Sequence, residues 1–275
     1  MRSSIFLAAV AIGVIGIIGG AVHAAVYATE VVSYAPGTAP SDYRDPTSAL
    51  GSPDGLTGES FPPFANVLSP FSPAYEADEI VVVGDGGQLT LKLGAAVQVG
   101  CGREIGVISN VGVMDVAGWP DPPASTATDP AQFFGGGIGE VLVSQDGISF
   151  VSLGLIDFNM PANYYTDVGA YSNVRGTETA DFGSPFIASP ADFDGKTYEQ
   201  MKQLLSGSGG GTWIDLSPSG LSEVNYIRFV VADDGIAGTY LPIDAVMVSN
   251  FAVPEPGAML ALIAGAGVLL RRRGR

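Results

Sequence analysis

The stretch that decides the fold is Gly139-Glu-Val-Leu-Val-Ser-Gln-Asp-Gly-Ile-Ser-Phe-Val-Ser-Leu153. Apolar and polar residues alternate on both sides of its Asp146-Gly147 pair, as expected for two β-strands that each bury one face. An Asp-Gly pair also supplies the positive φ angle that a tight turn needs. The stretch therefore predicts a β-hairpin with an apolar face, made of Val141, Val143, Ile148, Phe150 and Leu153.

Short strand patterns separated by turn-rich segments continue along the chain. They cover residues 25–34, 79–83, 88–93, 104–109, 212–216, 224–232 and 242–251. One helix is predicted at residues 198–206, because Thr197 and Gln200 form a capping box and Gly207 follows as a stop signal. The pattern predicts an all-β fold, an antiparallel β-sandwich of jelly-roll-like architecture with one short helix.

The first 24 residues have the layout of a secretory signal. Arg2 precedes an uninterrupted apolar and glycine run over residues 5–22, and small residues follow, among them Ala24 and Ala28. This order predicts a signal helix that is removed after Ala24, with Ala28 as the second choice. An uncleaved anchor is the alternative, because an apolar run of about 18 residues is long enough to begin spanning a membrane.

The C-terminal segment, residues 253–275, has three parts in a fixed order. They are the motif Pro254-Glu255-Pro256, an uncharged run over residues 257–270, and the basic cluster Arg271, Arg272 and Arg273. A basic cluster is typical of a membrane helix whose charged end stays in the cytoplasm. At about 1.5 Å per residue the uncharged run covers roughly 21 Å of a hydrocarbon core that is roughly 30 Å thick, so the predicted membrane helix is short.

This tail resembles the PEP-CTERM sorting signal of Gram-negative and planctomycete-type bacteria. The resemblance implies processing by an exosortase-type enzyme and a tether to the inner membrane during sorting. It also implies a final place at the cell surface or in the extracellular matrix, in association with exopolysaccharide and biofilm. With the signal, the tail divides the chain into a signal peptide (1–24), a body (25–252) and a sorting and membrane tail (253–275).

Charge and composition narrow the function of the body. The chain has 12 Lys and Arg and 28 Asp and Glu; without the two ends, 7 basic and 27 acidic residues remain, a net charge near −20. This balance excludes nucleic acid as a partner, because phosphate binding needs clustered cations. It indicates divalent-cation binding or repulsion from like-charged surfaces, or else only a solubilising acidic surface.

The rare residue types exclude further classes. The one histidine, His23, lies in the signal, which removes Ser-His-Asp and Cys-His catalysis and His-ligated zinc from the body. The one cysteine, Cys101, has no partner for an internal disulfide. We expect it to be a small buried hydrophobe, since free cysteines usually are.

Five segments of the body resemble, in order, surface proteins with a galactose-binding-like jelly roll of the discoidin type. They are residues 49–55, 144–150, 213–216, 226–229 and 243–246. The resemblance implies a structural calcium ion that ties an N-terminal loop to the last strand, with Asp54 and Asp244 as ligands. Calcium accepts carboxylates and carbonyls, and a carboxylate beside Ile243 is costly to bury without a partner. Alternatively, Asp244 faces solvent and Asp54 only makes a turn.

Three functions fit the body. The first is a non-enzymatic module that binds extracellular polysaccharide, for which exposed aromatic rings are needed. Trp119, Tyr164 and Tyr165 lie in loop-like sequence, although loop packing is the better explanation of the two tyrosines. The second is an exported enzyme that cleaves glycans with two carboxylates, but no acid pair stands in a distinctive motif. The third is a structural coat protein that binds itself.

Overall fold

The computed structural model describes residues 26–59, 66–116, 125–233 and 238–250, and this part of the chain contains twelve strands, one α-helix and four short 3-10 helices. The strands are β1 (Val26–Ala35), β2 (Val81–Gly84), β3 (Gln88–Gln98), β4 (Ile105–Ile108), β5 (Gly112–Val113), β6 (Phe133–Phe134), β7 (Gly137–Ser144), β8 (Val151–Phe158), β9 (Thr212–Ile214), β10 (Glu223–Val230), β11 (Tyr240–Ile243) and β12 (Ala245–Val248). The helix, α1, is Tyr198–Leu204, and it begins at the predicted capping box of Thr197 and Gln200.

Eight of these strands form one sheet in the order β8-β7-β10-β3-β1-β12-β4-β9, and β11-β2 and β5-β6 form two-stranded sheets. Strand β1 joins two halves of the large sheet, β8-β7-β10-β3 on one side and β12-β4-β9 on the other. Val26 of β1 pairs with Val248 of β12, and Ala28 pairs with Leu93 of β3. Every strand pairing given for the described residues is antiparallel. The predicted antiparallel, mostly β architecture is therefore confirmed.

The main core lies between the two halves of the large sheet. On one side it contains Ile227 and Phe229 of β10, and on the other Val246 and Val248 of β12. A second apolar cluster covers the opposite face of β12 and includes Met247, together with Met201 and Leu205 at the helix. Strand β12 is thus buried on both faces, which explains its continuous apolar sequence.

The predicted hairpin exists as β7 and β8, but its turn is longer than the sequence suggested. Residues 145–150 lie outside both strands, and Ile148 is 85 % exposed instead of buried. The reason is local hydrogen bonding: Asp146 Oδ1 accepts from the main-chain N–H groups of Ile148 and Ser149, each at 2.8 Å. Phe150 lies on the outside of the sheet, with the Arg228 guanidinium 3.8 Å from its ring centre.

The predicted strand at residues 242–251 is split in two. Strand β11 ends at Ile243 and β12 begins at Ala245, so Asp244 separates them. Ile243 pairs with Val81 of β2, whereas Ala245 pairs with Ile108 of β4. The chain changes from one sheet to the other at Asp244.

The predicted signal helix, the membrane helix and the six sorting residues from Pro254 to Arg273 lie outside the described residues. Within the described ranges, no helix combines the length and apolar character that a membrane crossing requires.

Candidate metal centre

Asp244 is a buried carboxylate at the point where the chain changes sheets. Its main-chain N–H donates to the carbonyl of Ile108 at 2.9 Å, and the residue is only 4 % exposed. Across the described part of the chain, no hydrogen bond reaches its carboxylate. Burial raises the pKa of Asp244 well above its usual value, and the negative charges of Glu79 and Asp54 raise it further.

The charges of two other carboxylates, Glu79 and Asp54, act on Asp244. Glu79 precedes β2 and is half-buried. Burial, followed by a hydrogen bond to Asp54 and the charges of Asp54 and Asp78, raises the pKa of Glu79 to about 8, while Arg175 acts in the opposite direction. The three acids differ in burial, since Asp244 is buried, Glu79 is half-buried and Asp54 is exposed, and a cation near them would relieve their repulsion.

The loop that carries Asp54 is held in a defined conformation. Asp54 Oδ1 accepts from the main-chain N–H of Leu56 at 2.7 Å. The next residue, Gly55, has φ +83°, and a Cβ atom there would lie 2.4 Å from the ring of Tyr164. Only glycine therefore fits at position 55, and the Tyr164 ring packs directly against the loop that carries Asp54.

Tyr164 responds to the cluster electrostatically. Its pKa is raised, first by burial and then by Tyr165 and Asp54, with a smaller contribution from Asp244. Its ring centre is 4.7 Å from that of Tyr165 and 5.3 Å from that of Phe182. Asp54 and Asp244 thus both act electrostatically on Tyr164, although the sequence selected the aspartates and the tyrosine for two different roles.

Arg175 is the basic group beside this cluster. Its Nη1 lies 3.4 Å from the carbonyl oxygen of Asp54, and its Nη2 lies 4.0 Å from Asp54 Oδ2. The arginine side chain is 56 % exposed. It therefore approaches Asp54 from the solvent side, whereas Asp244 is buried.

The donor set fits a hard cation. Asp54, Glu79 and Asp244 offer only oxygen, and calcium takes six to eight oxygen ligands in flexible geometry. In the described ranges no group of three or more His, Cys, Asp or Glu is arranged to hold a metal, so these three acids do not form a three-carboxylate site. A calcium ion here would need main-chain or hydroxyl oxygens as well, which calcium commonly uses. The unpaired, buried carboxylate of Asp244 is the feature that such an ion would satisfy.

The remaining predicted site residues divide into two groups. Tyr165 is 6 % exposed, so its ring belongs to the protein interior, as the packing alternative proposed. Trp119 lies outside the described residues. Sequence reasoning did not select Glu79 or Arg175; Arg175 is one of only seven basic residues in the body, and that scarcity was the available signal.

A second buried carboxylate, Glu104, has a very different environment. It is fully buried, and its Oε1 accepts from the main-chain N–H groups of Gly100, Cys101 and Gly102 at 2.7, 2.8 and 2.9 Å. Its Oε2 accepts from Leu216 at 2.9 Å. Burial alone would raise the pKa of Glu104, but these four hydrogen bonds outweigh burial and lower it.

Cys101 corrects a prediction from sequence. The side chain is exposed, not a buried hydrophobe. Gly100 and Gly102 on either side of it have positive φ angles, and the loop turns its amides inward to Glu104. The residue is consequently exposed, although its thiol also forms a hydrogen bond with Glu104.

No family model matches the chain, and no curated protein sequence matches it. Two solved structures of carbohydrate-binding modules are similar at a low level. CBM32-2 of a GH31 protein, bound to GalNAc, aligns over 80 % of this chain and 96 % of its own, with 11 % identity and a TM-score of 0.34. CBM32-1 from a family 31 glycoside hydrolase of Clostridium perfringens aligns over 79 % and 92 %, with 11 % identity and a TM-score of 0.30. Likeness at this level assigns neither a ligand nor a site.

Proposed function

We propose that this chain is an exported, non-enzymatic surface or extracellular-matrix module whose β-sandwich is stabilised by a structural calcium ion. The observation that carries the proposal is the buried Asp244 carboxylate, which has no hydrogen bond but has Asp54 and Glu79 as acidic neighbours. A buried charge without a partner is strongly unfavourable, and a divalent cation would offset it.

Asp54 and Asp244 would hold the ion together with main-chain or hydroxyl oxygens. The ion would connect the loop at Asp54 to the junction of β11 and β12. Ligand binding to the folded state alone stabilises it by RT ln(1 + [L]/Kd), about 2.7 kcal/mol at a hundredfold excess over Kd. For a body with no disulfide, a gain of this size is substantial.

The test is thermal unfolding of the purified protein in millimolar calcium and in chelator. We expect calcium to raise the Tm of the wild type, and to have little effect on Asp244→Ala or Asp54→Ala. Asp157→Ala, an exposed aspartate on β8, is the matched control and should retain the calcium response. A wild type that chelator leaves unchanged would remove the calcium site from the proposal.

The ligand of the module, in this proposal, is extracellular polysaccharide. Trp119 and Tyr164 are the aromatic residues that would contact it, because Tyr165 is buried. Alanine at Trp119 or Tyr164 should reduce retention on immobilised polysaccharide, and Trp119→Ala should leave the Tm nearly unchanged. Binding to no glycan by the wild type would instead favour the structural coat protein.

The enzyme alternative receives little support from the acidic cluster. Two glycosidase carboxylates stand about 5 to 9.5 Å apart around the scissile bond, whereas Glu79 and Asp54 hydrogen-bond to each other. Asp244 is too buried to reach a substrate. Release of reducing sugar from polysaccharide, abolished by Glu79→Gln, would reverse this conclusion.

Export and sorting complete the proposal. The signal would be cleaved after Ala24, and Pro254-Glu255-Pro256 with Arg271, Arg272 and Arg273 would direct membrane tethering and processing by an exosortase-type enzyme. Replacing Glu255 and the three arginines should change both the location and the mature mass of the protein. If both stay the same, the tail is not a sorting signal.

A further inference from the structure

A cavity of about 460 Å³ lies beside the end of α1. Part of its lining comes from the segment that follows the helix, Ser206, Gly207 and Ser208, and another part comes from residues 185–188 and Asp192. A cavity of this size lies within the range of sites for small ligands, roughly 300 to 1,000 Å³. None of the lining residues belongs to the candidate metal centre, so the cavity is a separate feature.

Both walls of the cavity are held in place by contacts within the protein. The Phe186 ring packs edge-on against Phe193, with ring centres 6.1 Å apart, and the Phe186 carbonyl accepts from Arg103 Nη1 at 3.2 Å. On the other wall, the N–H of Ser208 donates to the carbonyl of Leu205 at 2.8 Å. The cavity is therefore preformed, which lowers the cost of binding a ligand in it.

Two polar side chains of the lining have hydrogen-bonding capacity that the protein leaves unused. Ser208 is 5 % exposed; its Oγ accepts from the N–H of Gly210 at 3.1 Å, but its own O–H has no acceptor among the described residues. Asp192 Oδ2 accepts from the N–H and the Oγ of Ser189, at 2.7 and 2.8 Å, whereas Oδ1 has no hydrogen-bond donor in the same ranges. The cavity therefore offers a ligand a donor and a charged acceptor.

The other side chains of the lining are mainly apolar. Phe186 is buried and Leu204 is half-buried, whereas Ile187 is 74 % exposed. Ile187 thus places apolar surface where the cavity meets solvent. Apolar surface beside a donor and an acceptor fits a sugar ring, which has a C–H face and hydroxyl groups that both donate and accept.

We propose that this cavity binds one neutral sugar residue of the extracellular polysaccharide. The inference rests on the proposed function, to which it adds a site and a class of ligand. Sugar hydroxyl groups would donate to Asp192 Oδ1 and accept from the Ser208 O–H, and the C–H face would lie against Ile187. An acidic sugar would bring a second negative charge close to Asp192, which is unfavourable.

The experiment measures the affinity of the full chain for immobilised galactan and dextran, which are neutral, and for polygalacturonate, which is acidic. Ile187→Ala is compared with Ile148→Ala, the same change at another exposed isoleucine, and Asp192→Asn with Asp157→Asn on β8. We expect the wild type to bind a neutral polymer, and Ile187→Ala and Asp192→Asn each to bind it about tenfold more weakly. The two controls should equal the wild type. Both isoleucine variants should keep the wild-type Tm, because their side chains are exposed.

The outcomes separate this inference from the proposed function. If the wild type binds a neutral polymer and either Ile187→Ala or Asp192→Asn binds it equally well, the cavity is not the sugar site, while glycan binding stands. Equal affinity for polygalacturonate overturns the assignment of a neutral sugar. If none of the polymers retains the wild type, glycan binding fails and the inference fails with it.

Discussion

Glu104 and Asp244 are both buried carboxylates, yet the backbone surrounds them differently. Glu104 receives four main-chain N–H groups, and its pKa is lowered. Asp244 receives none, has two acidic neighbours, and its pKa is raised. The first is a complete structural unit that favours the charged form. The second is incomplete without a cation or a proton, which makes it the better candidate for function.

The largest expected effect is at Glu104. Glu104→Ala leaves four main-chain donors without their acceptor, and each buried unpaired donor costs about 1 to 3 kcal/mol. We expect a loss of at least about 3 kcal/mol in the free energy of unfolding, measured by denaturant titration. Glu30→Ala, which removes an exposed glutamate and its weak ion pair with Lys92, should cost less than about 1 kcal/mol. If Glu104→Ala and Glu30→Ala lose the same free energy of unfolding, the hydrogen bonds to Glu104 do not have the structural role described here.

Neutral isosteres should act in opposite directions at the two positions. Glu104→Gln places an NH2 group against N–H donors and should destabilise by about 2 kcal/mol. Asp244→Asn replaces a buried carboxyl group, whose charged form is unfavourable, with a neutral amide, so in chelator it should stabilise by at most about 1 kcal/mol, and the gain should grow as the pH rises. In calcium the same variant should lose the metal-dependent rise in Tm. If Asp244→Asn is also destabilised in chelator, the Asp244 carboxyl group has a favourable partner in the folded protein, and the contrast with Glu104 is wrong.

The pH dependence should also have opposite signs. A lowered pKa means that the unfolded state binds more protons, so the stabilisation from Glu104 is present above about pH 4.5 and lost as the pH falls. Glu79, with its pKa raised to about 8, binds more protons in the folded state, so the calcium-free protein should lose stability as the pH rises from about 4.5 to 8. Unfolding curves of Glu104→Gln and Glu79→Gln, each subtracted from the wild type, isolate the two contributions. If the difference curve for Glu79→Gln is flat between these pH values, the predicted pH-dependent contribution of Glu79 is wrong.

The smallest effect is expected at Cys101. Its N–H bonds to Glu104, but its thiol is exposed. Cys101→Ser keeps the amide and should change the free energy of unfolding by less than about 0.5 kcal/mol. A loss comparable to that of Glu104→Ala would show that the thiol, and not the amide, holds the loop.

The sequence predicted those elements whose signal comes from residues that are close together in the chain. The hairpin strands, the strand patterns and the capping box at Thr197 all depend on residues close in sequence, and the structure contains them. The turn at Asp146 was harder to predict, because a side chain that accepts two main-chain N–H groups lengthened the loop and exposed Ile148. Hydrophobicity alone does not reveal such competition between side chain and backbone.

The sequence by itself determined the fold class, the acidic charge and the absence of histidine chemistry, since alternation, composition and residue counts need no coordinates. It also selected Asp54 and Asp244 through a resemblance. Only the tertiary structure decided that Glu79 and Arg175 join Asp54, because these residues lie 25 and 121 positions away from it. It alone separated Glu104 from Asp244: burial and hydrogen bonding depend on which backbone groups fold against a carboxylate, and residues far apart in the chain supply them.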